Sequence, residues 1–132
     1  MTKSEKATTL FSEGCNCCQA VVLSFAEEMG MDADPLARLA SSFGAGMGGL
    51  KEVCGAVTGL FMVLGARYGY GNAVAAPEKA AHAARIREAA KEFEENFGSI
   101  ICRELKSGDR DRVFCVTLVE YAAELAEKYL AQ

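Results

Sequence analysis

A helical repeat of apolar residues between Pro77 and Phe97 constrains the fold of this chain more than any other feature. Its members are spaced alternately by three and four positions: Ala83, Ile86, Ala90, Phe93 and Phe97. This spacing is typical of a helix that packs along a near-antiparallel neighbour, and Pro77 and Gly98 suit the two ends of such a helix. Because no stretch alternates in the manner of a strand, the sequence predicts an all-α fold.

Start and stop residues divide the rest of the chain into further helices. The predicted ranges are about Ser4–Ser12, Cys17–Met29, Lys51–Tyr68 and Arg110–Leu130, with Asn16 as the cap of the second helix and Asp109 as the cap of the last. A third helix is predicted to begin at Asp34 and Pro35, and a short helix is predicted after the cap Ser99. The helix near 51–68 is apolar nearly all round, which indicates a buried central helix. We expect one domain over residues 1–132, a bundle of about five to six helices.

Three finer expectations concern the middle of the chain. The third helix is predicted to bury Leu36, Leu39, Ala40 and Phe43. The glycine-rich segment Gly44–Gly49 is predicted to be a flexible loop that lets backbone approach the region of Cys54 closely. Gly55 and Gly59 lie four residues apart, which permits close helix contact inside the bundle or at the seam of a homodimer.

Composition argues against several classes of partner. The formal net charge is −4, and Lys and Arg are scattered, so we do not expect nucleic acid as a partner. The apolar stretch Ala56–Ala66 is shorter than the roughly 20 residues of a membrane helix, and the polar N-terminus lacks the apolar segment of a secretory signal. We therefore expect a cytoplasmic protein with no membrane partner.

Missing motifs argue against two kinds of cofactor and one kind of catalysis. Gly44–Gly49 lacks the Gly-Lys-Ser/Thr ending of a phosphate loop, so no nucleotide is expected. The chain has no CxxCH sequence, so no covalently attached haem is expected. The single histidine, His82, is predicted to lie at the surface, which leaves histidine-based catalysis little to work with.

Six cysteines are the main chemical signal: Cys15, Cys17, Cys18, Cys54, Cys102 and Cys115. Three or four of them fall in the early turns of separate predicted helices, where the helix dipole lowers the pKa of a thiol. Cytoplasmic thiols are normally reduced, and an apolar chain of this length does not need disulfides to fold. The dispersed cysteines therefore indicate one assembled site for a metal or for redox chemistry.

Helical geometry separates the first three cysteines. Cys18 lies near the centre of an apolar stripe and is predicted to be a core residue. Cys17 lies about 100° away around the helix, directly after the cap Asn16, and is the better site candidate. Cys15 precedes the helix and could be a spare ligand, a resolving thiol or an incidental surface residue. It forms the only CxxC spacing with Cys18.

Cys54, Cys102 and Cys115 complete the candidate set. Cys54 is predicted in the first turn of the central helix, Cys102 near the start of the short helix, and Cys115 about six residues into the last helix. A set of four thiolates suits Zn²⁺ or an iron–sulfur cluster, because soft ligands select these metals.

The sequence blocks around these cysteines resemble a known family. The blocks are Gly14–Val22, Phe43–Gly49, Cys54–Gly59, Cys102 and Cys115. Together they resemble the small redox-active proteins named for their C_GCAxxG_C_C cysteine pattern, over nearly the whole chain. This chain reads Cys54-Gly55-Ala56 where the name writes GCA.

The resemblance implies a set of four site cysteines. They map onto Cys17, Cys54, Cys102 and Cys115, while the position of Cys18 usually holds a small residue in the family. A related domain occurs in split-Soret-type cytochromes, where it is associated with an iron–sulfur centre. The resemblance thus implies a cluster or thiol site without deciding between them.

Three functions stay open on the sequence. The first is an iron–sulfur redox or electron-transfer protein that uses the four cysteines and an unidentified redox partner protein. The second is a metal-free thiol/disulfide oxidoreductase in which a low-pKa Cys17 or Cys54 attacks. The third is a structural or binding protein held by Zn²⁺. We expect a redox protein rather than a substrate-converting enzyme.

Overall fold

In the computed structural model, the described residues form eight helices, six of which have seven or more residues, and one apolar helix lies at the centre of the bundle. The structure describes residues 1–72, 74–107 and 112–132. The helices are α1 (Lys3–Ser12), α2 (Cys17–Ser24), α3 (Ala26–Met29), α4 (Ala33–Ala40), α5 (Gly55–Tyr68), α6 (Ala76–Phe97), α7 (Cys102–Leu105) and α8 (Arg112–Leu130). The described part contains no strand, only one isolated bridge, so the all-α prediction is confirmed.

Helix α5 is the buried centre of the bundle, as predicted. It packs against α2, α6 and α8, and its side chains are enclosed on every face over its first two turns. Its buried apolar residues are Ala56, Val57, Leu60, Val63 and Leu64. Burial of such side chains is the main favourable term in folding, so this helix organises the core.

Glycines on α5 allow α2 to approach very closely. A Cβ atom at Gly59 would lie 2.9 Å from Val21 Cβ and 3.1 Å from the carbonyl oxygen of Cys18. Real Cβ atoms do not make such contacts without displacing their neighbours. Packing within one chain therefore accounts for Gly59, and the homodimer stays a prediction.

The long helix α6 packs on α8 through aromatic rings, which agrees with its predicted seam. Phe97 makes edge-on contacts with Tyr121 and Phe114, and Phe93 lies beside both Phe97 and Tyr121. Edge-to-face ring pairs add stability beyond the area that they bury. Gly98, with φ of 89°, ends α6 as predicted.

Two helices have bounds that differ from the predicted ones. The second ends at Ser24 rather than Met29, because Phe25 leaves helical geometry (φ −116°, ψ 13°) and Ser24 Oγ donates to the carbonyl of Val21 at 2.7 Å. The third begins two residues earlier than predicted, with Asp32 rather than Asp34 as its N-cap. The prediction that Leu39 is buried is wrong, since its side chain is 58% exposed.

Residues 51–53 precede the central helix rather than starting it, and Lys51 has a left-handed φ of 62°. Val53 forms an antiparallel bridge with Ile101, and Cys54 is the N-cap of α5. The bridge holds both segments out of helical geometry. For the same reason α7 begins at Cys102, while Ser99 Oγ accepts from the N–H of Ile101 at 2.9 Å. The predicted cap Asp109 lies outside the described residues.

The glycine-rich segment is a hydrogen-bonded turn, where a flexible loop was expected. Ala45 and Gly46 both have left-handed backbone angles, with φ of 51° and 69°. The N–H groups of Lys51 and Glu52 donate to the carbonyls of Ala45 and Gly46 at 3.2 and 2.9 Å. A left-handed non-glycine residue costs of order 1 kcal/mol, so this turn carries backbone strain.

None of the helices over the described residues is both long enough and apolar enough to cross a membrane.

We predict that Leu60→Ala lowers the free energy of unfolding by about 2–5 kcal/mol, because it leaves a cavity beside the central helix. Leu39→Ala is the matched control and should change that free energy by less than about 0.5 kcal/mol, because Leu39 is exposed. Urea denaturation followed by circular dichroism measures both. Equal losses would contradict the placement of α5 at the centre.

Candidate four-cysteine site

Four cysteines that are far apart in sequence line one small cavity of about 30 Å³, here called the chamber. They are Cys17, Cys54, Cys102 and Cys115. The other lining residues are Ala45, Gly55, Leu105, Lys106 and Leu118. The structure thus brings together the four cysteines that the sequence singled out, and neither Cys15 nor Cys18 lines the chamber.

A capping box fixes the position of Cys17. The side chain of Asn16 accepts from the N–H of Gln19 at 2.8 Å, and the side chain of Gln19 accepts from the N–H of Asn16 at 2.9 Å. The amide of Gln19 also donates to the carbonyl of Ala37 at 3.0 Å, which ties the start of α2 to α4. Asn16 is therefore the predicted N-cap, and Cys17 is the first helical residue after it.

The sulfur of Cys17 lies directly over the backbone of Gly55. A Cβ atom at Gly55 would overlap Cys17 Sγ and would lie 2.8 Å from the carbonyl oxygen of Phe43. Only glycine fits here, because any side chain would occupy the space that the sulfur takes. This contact brings the N-terminal ends of α2 and α5 together.

Cys54 and Cys102 are joined through the backbone of two bridged segments. The N–H of Cys54 donates to the carbonyl of Ile100 at 2.8 Å, and the N–H of Cys102 donates to the carbonyl of Glu52 at 2.6 Å. Both cysteines are only 5% exposed. They form the inner wall of the chamber, and the left-handed turn lies behind Cys102, since a Cβ at Gly46 would be 2.7 Å from Cys102 Cβ.

Cys115 enters the chamber from α8. It is the fourth residue of that helix and is half-buried, and Leu118, one turn later on the same face, also lines the chamber. Each of the four cysteines therefore comes from a different segment of the chain.

Burial, rather than the helix dipole, controls the acidity of Cys54. Burial raises the pKa of its thiol to about 12 and nearby Cys17 and Cys102 act in the same direction, whereas the amides of Val57 and Ala56 lower it. The expectation that a helix start lowers the pKa is wrong at this residue, because loss of hydration outweighs the amide groups. Without a metal, Cys54 is not the low-pKa nucleophile of the second hypothesis.

Cys18 and Cys15 lie outside the chamber. Cys18 is fully buried, with its Sγ 3.7 Å from Met62 Sδ, and burial, followed by Cys17 and Cys54, raises the pKa of its thiol to about 12. Its prediction as a core residue is confirmed. Cys15 is half-buried, and burial, with a smaller effect of Glu13, raises the pKa of its thiol.

An open cleft of about 340 Å³, here called the vestibule, adjoins the chamber. It is lined by Phe11, Asn16, Cys17, Ala45, Lys106 and Cys115. Four of these also line the chamber: Cys17, Ala45, Lys106 and Cys115. Cys17 and Cys115 thus form an outer pair that the vestibule reaches, while Cys54 and Cys102 form an inner pair that line only the chamber.

Lys106 is a charged residue of the site that the sequence analysis did not predict. It follows Cys102 by four positions, and its N–H donates to the carbonyl of Cys102 at 2.9 Å. A spacing of four would place both residues on one face of a helical turn, so the spacing could have pointed to it.

The chamber is a cysteine cluster rather than a preformed metal site. Over residues 1–72, 74–107 and 112–132, no three His, Cys, Asp or Glu side chains stand close enough to hold one metal ion. The four thiols are the only ligating side chains among the described residues of the chamber lining, and this donor set fits a soft metal. The sulfurs would have to draw together to bind one.

The fold and the site define a small all-α protein in which four cysteines line one chamber. Residues 15–129 match the family described as "Putative redox-active protein (C_GCAxxG_C_C)", so the chain belongs to that family. The resemblance found in the sequence is confirmed. Neither the curated proteins nor the solved structures compared with this chain give a match.

We predict that Gly55→Ala lowers the free energy of unfolding by about 1–3 kcal/mol, because the added methyl group displaces Cys17 Sγ or the carbonyl of Phe43. Gly65→Ala on the same helix is the control. Apart from the adjacent backbone of its own helix, no atom lies within 4 Å of a Cβ there, so alanine should raise that free energy by about 0.5–1 kcal/mol. Thermal unfolding of both variants measures the contrast, and a loss at Gly65 equal to that at Gly55 would contradict it.

Proposed function

We propose that the four-cysteine chamber is the redox centre of the protein and that it holds an iron–sulfur cluster for electron transfer or redox sensing. One observation carries the proposal: Cys17, Cys54, Cys102 and Cys115 come from four segments of the chain and line the same cavity. Four thiolates are the usual ligands of such clusters.

The surroundings of the chamber support this choice of centre. Its walls are mostly apolar, and the inner pair Cys54 and Cys102 is almost fully buried. An apolar, water-poor shell tunes the potential of a bound cluster. The chamber by itself has room for an ion, and the vestibule adds space next to Cys17 and Cys115.

Two alternatives each have an observation in their favour. Metal-free thiol/disulfide chemistry is favoured by the vestibule, through which a small reactant reaches the outer pair Cys17 and Cys115. A structural Zn²⁺ ion is favoured by the small volume of the chamber, since four thiolates also suit tetrahedral zinc. The redox partner protein and the cytoplasmic location are further parts of the proposal.

We expect the anaerobically purified protein to contain iron and acid-labile sulfide and to absorb visible light, as four-thiolate clusters do. Serine at any one of the four chamber cysteines should reduce iron and visible absorbance together. Cys18→Ala is the matched control: it removes a thiol next to Cys17 in sequence but outside the chamber, so it should retain the iron.

Different outcomes separate the alternatives. Protein without iron or sulfide, in which all chamber thiols react with a thiol reagent under denaturing conditions, would overturn the cluster. Zinc in place of iron, with unfolding by a chelator, would support the structural role. Loss of iron in Cys18→Ala to the same degree as in Cys54→Ser would overturn the assignment of the ligands.

A further inference from the structure

The wall between the vestibule and the chamber combines three chemical features. Two cysteines, Cys17 and Cys115, line both spaces, and so does Lys106, whose side chain carries an ammonium group. Phe11 adds an apolar surface on the outer side. Among the described residues, those that line the vestibule include no carboxylate.

This local charge is opposite to that of the protein as a whole. The chain has a formal net charge of −4, so its average surface repels anions. At the vestibule the described lining residues contribute one positive charge, that of Lys106, beside Cys17 and Cys115. The positive charge of Lys106 would attract a small anion that enters the vestibule and reaches Cys17 and Cys115.

We propose that the vestibule admits a small disulfide carrying carboxylate groups to Cys17 and Cys115, and that Lys106 positions it. The thiolate of one outer cysteine attacks one sulfur of the reactant, a bond forms between the two sulfurs, and the S–S bond of the reactant breaks. The protein sulfur is oxidised, and the released half is reduced and leaves as a thiolate that takes a proton from solvent. The inference goes beyond the proposed cluster, because it concerns these thiols when no metal holds them.

Two alkylating reagents with the same leaving group isolate the effect of Lys106. Iodoacetamide is neutral and iodoacetate is anionic, so the ratio of their rates at one thiol reports local charge, and the reactivity of the thiol itself cancels. The full chain is reduced in the presence of a chelator, its fold is checked by circular dichroism, and labelled peptides are quantified by mass spectrometry. Cys17 and Cys115 should be labelled before Cys54 and Cys102, which are buried.

Lys106→Gln should lower the ratio of iodoacetate to iodoacetamide rates at Cys17 and Cys115 by roughly three- to fivefold at low salt, and the effect should shrink as salt is added. Lys91→Gln is the matched control, since Lys91 lies exposed on α6 and lines neither space. Cys15 is an internal control: Glu13 is its charged neighbour, so its ratio should not respond to Lys106.

The disulfide itself is tested with two probes of opposite charge. Glutathione disulfide carries carboxylates, whereas cystamine carries ammonium groups. With glutathione disulfide, the wild-type chain should form a mixed disulfide faster than Lys106→Gln does. With cystamine, the wild-type chain should react more slowly than Lys106→Gln or at the same rate. A rate ratio that Lys106→Gln leaves unchanged, or labelling of Cys54 and Cys102 before the outer pair, would overturn the inference. Iron content does not enter either readout, so failure here and failure of the cluster are distinguishable.

Discussion

The close crossing of α2 and α5 is the contact on which the rest of the site depends. Cys17 Sγ occupies the space that a side chain at Gly55 would fill, and Gly59 lets Val21 pack against the same helix. Because both helices begin at this crossing, Cys17 and Cys54 lie close to each other. The other two cysteines are added by the bridged segment that carries Cys102 and by the first turn of α8.

The cysteines of the chamber differ in their access to solvent, and this difference organises the chemistry. Cys54 and Cys102 are fixed by backbone hydrogen bonds between their segments and are nearly excluded from water. Cys17 and Cys115 border an open cleft. A centre built this way has a buried side that sets the environment of a bound group and an open side through which reactants reach sulfur.

Much of the fold could be predicted from local signals in the sequence. Asn16 and Gly98 end helices as expected, and the apolar character of α5 predicted its central place. Pairing between distant segments could not be predicted, because Val53 and Ile101 meet only in the folded chain and override helix propensity around Cys54. The left-handed geometry of Ala45 is likewise imposed by its surroundings.

The position of three or four cysteines near predicted helix starts indicated one assembled site, and the family resemblance implied its four members. The raised pKa of Cys54, by contrast, depends on burial that no local pattern encodes. The most direct test of the central claim is long-wavelength anomalous diffraction from an anaerobically grown crystal, which locates sulfur and iron independently of a starting structure. We expect the sulfurs of Cys17, Cys54, Cys102 and Cys115 around one iron-containing peak, with the sulfur of Cys18 apart from it. Four sulfurs at separate places, or a metal held by other residues, would contradict it.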